Sequence, residues 1–353
     1  MYVRNCWYVA AWTYELESGE VISRTILNEP IAIYRLGDGR LAAMEDRCCH
    51  RFAPLSKGRI EGDDLRCMYH GLKFDHTGRC IEIPGQDMIP RTAHVKTYSA
   101  VEKHSWIWVW MGDAARADER LIPPAVGLDH PDWTLRSGRL DYEANYVLLN
   151  DNLTDFTHLS YVHRDSFGAT EAFARTRPTV ERLDRGLRIW RWVSDGLRED
   201  APTVVHRRAE GDHWQTYDYL APGVLLMHTA ICPAGAAERF GRGPPDLSQV
   251  NPLSENFTSQ AVTPMTDRTT RYYFSWGPRS GEGSAAVADA MLELAHKAFS
   301  EDKEIIEAQQ RVIDLDPGRK EVLTSADVGP TQMRSVIARL IEAERDESAI
   351  SAA

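Results

Sequence analysis

Cys48 and His50 are separated by one residue, and sixteen residues further on Cys67 and His70 are separated by two, so two stretches of chain each carry one thiol and one imidazole. Four such groups in one window suggest a metal site, and assembling it requires two loops of one compact unit to meet. The surrounding residues supply those loops. Short β-type runs at 31–36, 41–45, 71–74 and 106–111 are broken by turn signals at 37–39 and 75–78. The first third of the chain therefore reads as all-β, with the two Cys/His pairs on hairpin loops.

That arrangement has a specific chemical use. In a Rieske [2Fe-2S] cluster one iron takes two thiolates and the other two neutral imidazoles, which raises the reduction potential above that of an all-cysteine cluster and suits it to pass single electrons onward. One Cys and one His on each loop let two loops grip both irons. The competing reading is a structural zinc site, which uses the same four residue types. Zinc fingers usually segregate their cysteines from their histidines, whereas here each loop carries one of each. Cys49, between two proposed ligands, points away from such a cluster, and Cys6, Cys80 and Cys232 read as small buried hydrophobes.

A second constellation lies at 150–163, where His158 and His163 are five apart and Asp155 precedes the first by three. Apolar residues at helical spacing predict a helix over 145–162, on which Asp155 and His158 share a face. A distortion or helix end near Ser160 lets His163 converge with them. Two imidazoles and one carboxylate make the facial triad of mononuclear Fe(II) oxygenases, which leaves positions open for O2. Asp155 is poorly suited to be both the third ligand and the link to an electron donor, so the carboxylate is sought elsewhere. The amphipathic helix predicted over 285–313 offers Asp302, which shares an apolar stripe with Ala295, Phe299, Ile305, Ile306 and Gln309. A carboxylate on such a face is costly unless paired or metal-bound. Glu301 and Glu304 fit the helix surface better.

Asn152, Met227 and His228 are candidate pocket residues, although a core strand accommodates the last two equally well. His104, His130, His206, His213 and His296 read as surface or hydrogen-bonded residues. The stretch at 112–120 and Pro123-Pro124 mark a boundary, giving domains at 1–120 and 121–353. The second domain is mixed, with strands expected at 186–193 and 269–276, a last helix over 331–345 and a Gly/Pro-rich loop at 235–246. With 353 residues, 43% of them hydrophobic, the chain can bury two such cores. A net charge of -11 without a Lys/Arg block excludes nucleic acid and an anionic membrane surface as partners. No run of about 18 apolar residues and no signal peptide is evident, so a cytoplasmic location is expected, with the sequons at Asn152 and Asn256 accidental.

With both motifs in hand, the whole chain resembles the oxygenase components of the Rieske non-haem iron oxygenases, of the vanillate O-demethylase type and more loosely the dicamba O-demethylase type. The resemblance extends to 3–12, 48–74, 82–86 and 151–163. It implies an α+β protein: an all-β Rieske domain followed by a helix-grip (START-like) catalytic domain with an antiparallel sheet, assembled as a homotrimer. It also implies that His70 of one chain faces Asp155 of the next, with Asp155 orienting His158 and carrying electrons between subunits. The family's distal carboxylate matches Asp302. A reductase or ferredoxin drawing on NADH would feed the cluster, and O2 would oxidise a small aromatic substrate, by O-demethylation of a methoxybenzoate. N-dealkylation of an anilide or urea and ring hydroxylation are the alternatives within the class. Outside it stand a zinc-stabilised binding protein and a Rieske electron carrier, for which the first third of the chain would suffice.

Overall fold

A computed structural model describes residues 1–198, 201 and 211–352, with side chains to residue 347. The chain divides into two compact units, Met1–Ile122 with Thr263–Asp267, and Pro123–Val262 with Arg268–Ala353.

The first unit is built from eleven short strands: β1 (Trp7–Trp12), β2 (Val21–Ile26), β3 (Glu29–Arg35), β4 (Leu41–Glu45), β5 (Arg59–Glu61), β6 (Asp64–Arg66), β7 (Lys73–Phe74), β8 (Cys80–Glu82), β9 (Thr97–Tyr98), β10 (Ala100–Lys103) and β11 (Trp106–Trp110). They form three sheets, β1-β11-β10, β2-β3-β4-β9 and β5-β6-β7-β8. The two metal-motif loops follow β4 and β6. Ala32, Tyr34, Met44, Leu55, Leu65 and Phe74 pack with Cys48, Cys67 and Cys80 into one buried cluster, which roots both loops in the core.

The second unit has a seven-stranded sheet of order β12-β18-β17-β16-β15-β14-β13, from β12 (Arg136–Tyr142), β13 (Thr179–Leu183), β14 (Gly186–Ser194), β15 (Asp212–Leu220), β16 (Val224–Cys232), β17 (Ser254–Pro264) and β18 (Thr270–Pro278). Its helices are α1 (Tyr146–Thr154), the short α2 (Ala172–Arg175) and α3 (Ala236–Arg239), the long α4 (Ser284–Leu315) and α5 (Val328–Ala352). Helix α4 lies on β18 and β12, burying Ala288, Met291, Ala295, Ala298, Asp302 and Ile306. The α+β class and the helix-grip arrangement hold.

Two elements depart from the sequence reading. The helix expected over 145–162 stops at Thr154, because the Asp155 carboxylate accepts hydrogen bonds from the Thr157 amide (2.8 Å) and hydroxyl (2.9 Å). Such a local turn competes with helical bonding. A 3-10 turn at Thr157–Ser160 follows. The 235–246 loop also contains α3. Among the described residues, no helix is long and apolar enough to cross a membrane.

Candidate metal centres and substrate cavity

The two Cys/His loops of the first unit share one backbone plan. The Cys48 amide donates to the Ala53 carbonyl (2.9 Å) and the Phe52 amide to the Cys48 carbonyl (2.9 Å); likewise the Cys67 amide donates to Leu72 (2.8 Å) and the Gly71 amide to Cys67 (3.0 Å). The fifth residue of each loop is left-handed, Phe52 at φ 61° and Gly71 at φ 77°. Each loop thus turns its sulfur inward and its imidazole outward. Cys48 and Cys67 are 2% and 1% exposed, while His50 and His70 are exposed with ring centroids 4.6 Å apart.

Burial pushes the Cys48 thiol up to about 12, and the facing Cys67 sulfur contributes to the rise. Two sulfurs crowded in this way are held as thiolates only by a cation. Buried sulfurs on one side and exposed imidazoles on the other suit a core of two irons, one held by sulfur and one by nitrogen, better than one zinc ion. The residues fit the cluster.

In the second unit the group that does converge is His158, His163 and Asp302, with ligand atoms within 4.8 Å of one another. Asp302, 5% exposed on the apolar face of α4, places Oδ1 3.1 Å from His163 Nε2 and 3.6 Å from His158 Nε2. The other ring nitrogens are tied down: His158 Nδ1 lies 2.7 Å from the Asp155 backbone carbonyl, and His163 Nδ1 lies 2.9 Å from Glu301 Oε2. Ser166 also donates to Glu301 Oε2, at 2.6 Å. With both Nδ1 atoms engaged, both Nε2 atoms face the common point, the tautomer a metal requires.

Burial lowers the pKa of His158. Burial pulls His163 the same way, but hydrogen bonds to Asp302 and Glu301 outweigh it and the net shift is upward. Asn152, on the last turn of α1, donates from Nδ2 to Asp302 Oδ1 at 3.0 Å. These residues fit a two-histidine, one-carboxylate iron site with open positions.

Beside that site lies a cavity of about 110 Å³ lined largely by apolar side chains, among them Phe156, Phe167, Phe173, Leu197 and Met227. The proposed pocket residues separate. Asn152 and Met227 line this cavity, whereas His228 faces the other side of the sheet, where its Nε2 lies 2.9 Å from Glu255 Oε2. Successive strand residues alternate faces, so adjacent positions cannot both enter one pocket. Asp155 reaches His158 through its backbone rather than its carboxylate. Glu301, expected on the helix surface, holds a proposed ligand instead. His213, expected to be a surface or hydrogen-bonded residue, is 1% exposed and lines the cavity, and burial pushes it down to about 4. His206 lies outside the described residues.

A β unit with paired Cys/His loops, and a helix-grip unit holding a two-histidine, one-carboxylate centre, are the two halves of a Rieske non-haem iron oxygenase. The Rieske [2Fe-2S] domain model matches residues 6–99, and the vanillate O-demethylase oxygenase C-terminal domain model matches residues 142–343. The chain belongs to the vanillate O-demethylase type of Rieske oxygenases. It is 40% identical over 353 residues to the iron-sulfur subunit of a toluene-4-sulfonate monooxygenase system from Comamonas testosteroni, covering 99% of this chain and 100% of that one. It is 30% identical over 356 residues to the oxygenase component of chloroacetanilide N-alkylformylase from Rhizorhabdus wittichii, covering 98% and 96%. The crystal structure of dicamba monooxygenase bound to dicamba superposes with a TM-score of 0.81 at 30% identity, covering 98% of this chain and 99% of that one. The protein is thus the oxygenase component of a multicomponent monooxygenase, an oxidoreductase that carries a Rieske cluster and a mononuclear iron.

Proposed function

We propose that this oxygenase removes the methyl group of a small methoxybenzoate-type substrate, using O2 and electrons that a reductase or ferredoxin draws from NADH. The observation that carries this reading is the cavity of about 110 Å³ beside His158, His163 and Asp302. This is of the same order as the roughly 150 Å³ cavities that accept a single benzene ring, so the space suits a small ring better than a large polycyclic one. When bound, the cluster supplies single electrons and the mononuclear iron supplies O2 activation.

The chain's own residues do the rest. His158, His163 and Asp302 fix the metal at one end of the cavity, and the Asp155 carbonyl and Glu301 keep the two imidazoles aimed. Phe156, Phe167, Phe173 and Leu197 exclude water and hold the ring so that one carbon faces the metal. Hydroxylation of a methyl on oxygen gives a hemiacetal, which collapses to formaldehyde and a phenol. His70, exposed on its loop, would meet Asp155 of a neighbouring subunit in a homotrimer and pass the electron along the Asp155 main chain to His158.

A second reading is hydroxylation of a ring methyl to a benzylic alcohol, favoured by the 40% identity to the toluene-4-sulfonate system. Product analysis separates the readings. The holoenzyme is supplied with a surrogate reductase, NADH and O2, and offered methoxybenzoates, N-alkyl anilides and 4-methylbenzenesulfonate. Formaldehyde from the methoxybenzoates is expected. Benzylic alcohol with no aldehyde selects the second reading, and aldehyde from the anilides alone selects N-dealkylation.

A further inference from the structure

The cavity has a polar wall with an ordered arrangement. Register places Arg191, Gln215, Thr229 and Asn256 in one row across β14, β15, β16 and β17. All four are more than nine-tenths buried, and the last three line the cavity. Two partners that can only donate fix the amide orientations. Arg191 Nε–H donates to Gln215 Oε1 at 3.0 Å, and Trp276 Nε1–H donates to Asn256 Oδ1 at 2.8 Å. Each carbonyl oxygen is therefore taken, and each NH2 group is left for the cavity. Neither NH2 donates to another described residue.

Charge decides what those donors are for. Behind Gln215, the Arg191 guanidinium is 3% exposed and donates to the Phe173 carbonyl at 3.1 Å and the Phe156 carbonyl at 3.5 Å. It lies over the rings of Phe156 and Phe173, with no carboxylate at ion-pair distance among the described residues, and the Asp155 carboxylate acts on it only from further away. A buried cation without a directly paired carboxylate is costly, and an anion in the cavity would offset part of that cost. A neutral acceptor could use the same amides but would add nothing to offset the Arg191 charge.

We propose that this row is an oxyanion subsite: the substrate is an arene bearing a sulfonate or carboxylate, which accepts from Gln215 Nε2, Asn256 Nδ2 and the Thr229 hydroxyl, with Arg191 acting through Gln215. Gln215 and Asn256 touch the substrate; Arg191 is a positioning residue. The proposal rests on the cavity being the substrate site, as the proposed function holds.

The test is calorimetric titration of the holoenzyme with benzenesulfonate, benzoate and neutral anisole, for the wild type, Gln215→Glu and Asn256→Leu. The wild type is expected to bind at least one anion about tenfold or more tighter than anisole. Gln215→Glu keeps the side-chain shape and turns the Arg191 contact into an ion pair, so it should fold with an unchanged or raised Tm. It should lose about tenfold or more in anion affinity and bind anisole as before. Damage to the fold would weaken all three ligands together. Tight binding of sulfonate alone, carboxylate alone or both supports the subsite and identifies its headgroup. Equal wild-type affinity for anisole and the anions, or unchanged anion binding in both variants, overturns it. Formaldehyde release from neutral methoxyarenes without anion preference would remove the subsite and leave dealkylation standing. Anion binding without any oxygenated product would leave the subsite and remove the dealkylation reading.

Discussion

Glu301 and Asp302 are neighbours in sequence and grip opposite sides of one histidine. Asp302 faces His163 Nε2 and Glu301 faces His163 Nδ1, 138 residues away along the chain. Removing the orienting carboxylate should weaken the iron without disturbing the cluster. Glu301→Ala is expected to lower mononuclear iron affinity about 10–100-fold, measured by competition with a chelator, at unchanged visible absorption of the cluster. Asp155→Asn should act differently, because His158 hangs from the Asp155 main chain, which the substitution leaves in place. Both metals should stay bound while coupled turnover falls to near zero, because the carboxylate that would receive His70 of the partner subunit is lost, and near-normal product formation would refute the bridge. Asp302 was legible because a carboxylate on an apolar stripe demands an explanation. Glu301 was not, since its partner comes from a segment whose local shape the periodicity misjudged. Gln215 and Asn256 carried no signal either, because an amide reads as functional only once its partners are placed.

The end of α1 is the element on which the iron site depends. Apolar spacing alone extended this helix to residue 162, and what stops it is side-chain competition from Asp155, which periodicity does not register. The long α4 was legible almost to its ends, being free of Gly and Pro from Ser284 to Leu315. The order of the seven-stranded sheet was not legible, since β12 pairs with β18 across more than a hundred residues. Helix α5 packs on α1 at Gly329, where an added Cβ would lie 2.2 Å from the Thr154 carbonyl. Gly329→Ala should therefore displace the last turn of α1, the turn that leads into Asp155 and His158. A loss of roughly 1–3 kcal/mol is expected from overpacking, read as a lowered Tm, together with reduced iron occupancy. Unchanged Tm and iron content would show that α5 yields without moving α1.

On the scale of the whole molecule, one chain carries two iron centres of opposite character in two separate units. The first has buried cysteines and exposed imidazoles, suited to passing single electrons at the surface. The second is a largely buried triad beside a ring-sized cavity, suited to oxygen chemistry away from water. Both motifs were legible because their ligand types and spacing are specific. What a linear reading could not supply is the cavity wall, which comes from four strands meeting side by side. The most direct test of two distinct centres is the iron and acid-labile sulfide content of Asp302→Ala beside the wild type, with electron paramagnetic resonance of the reduced proteins. The wild type should hold about three irons and about two sulfides per chain. The variant should hold about two irons, with the sulfide content and the low-average-g cluster signal unchanged. A variant that keeps the third iron, or that loses the cluster signal along with it, would contradict the account.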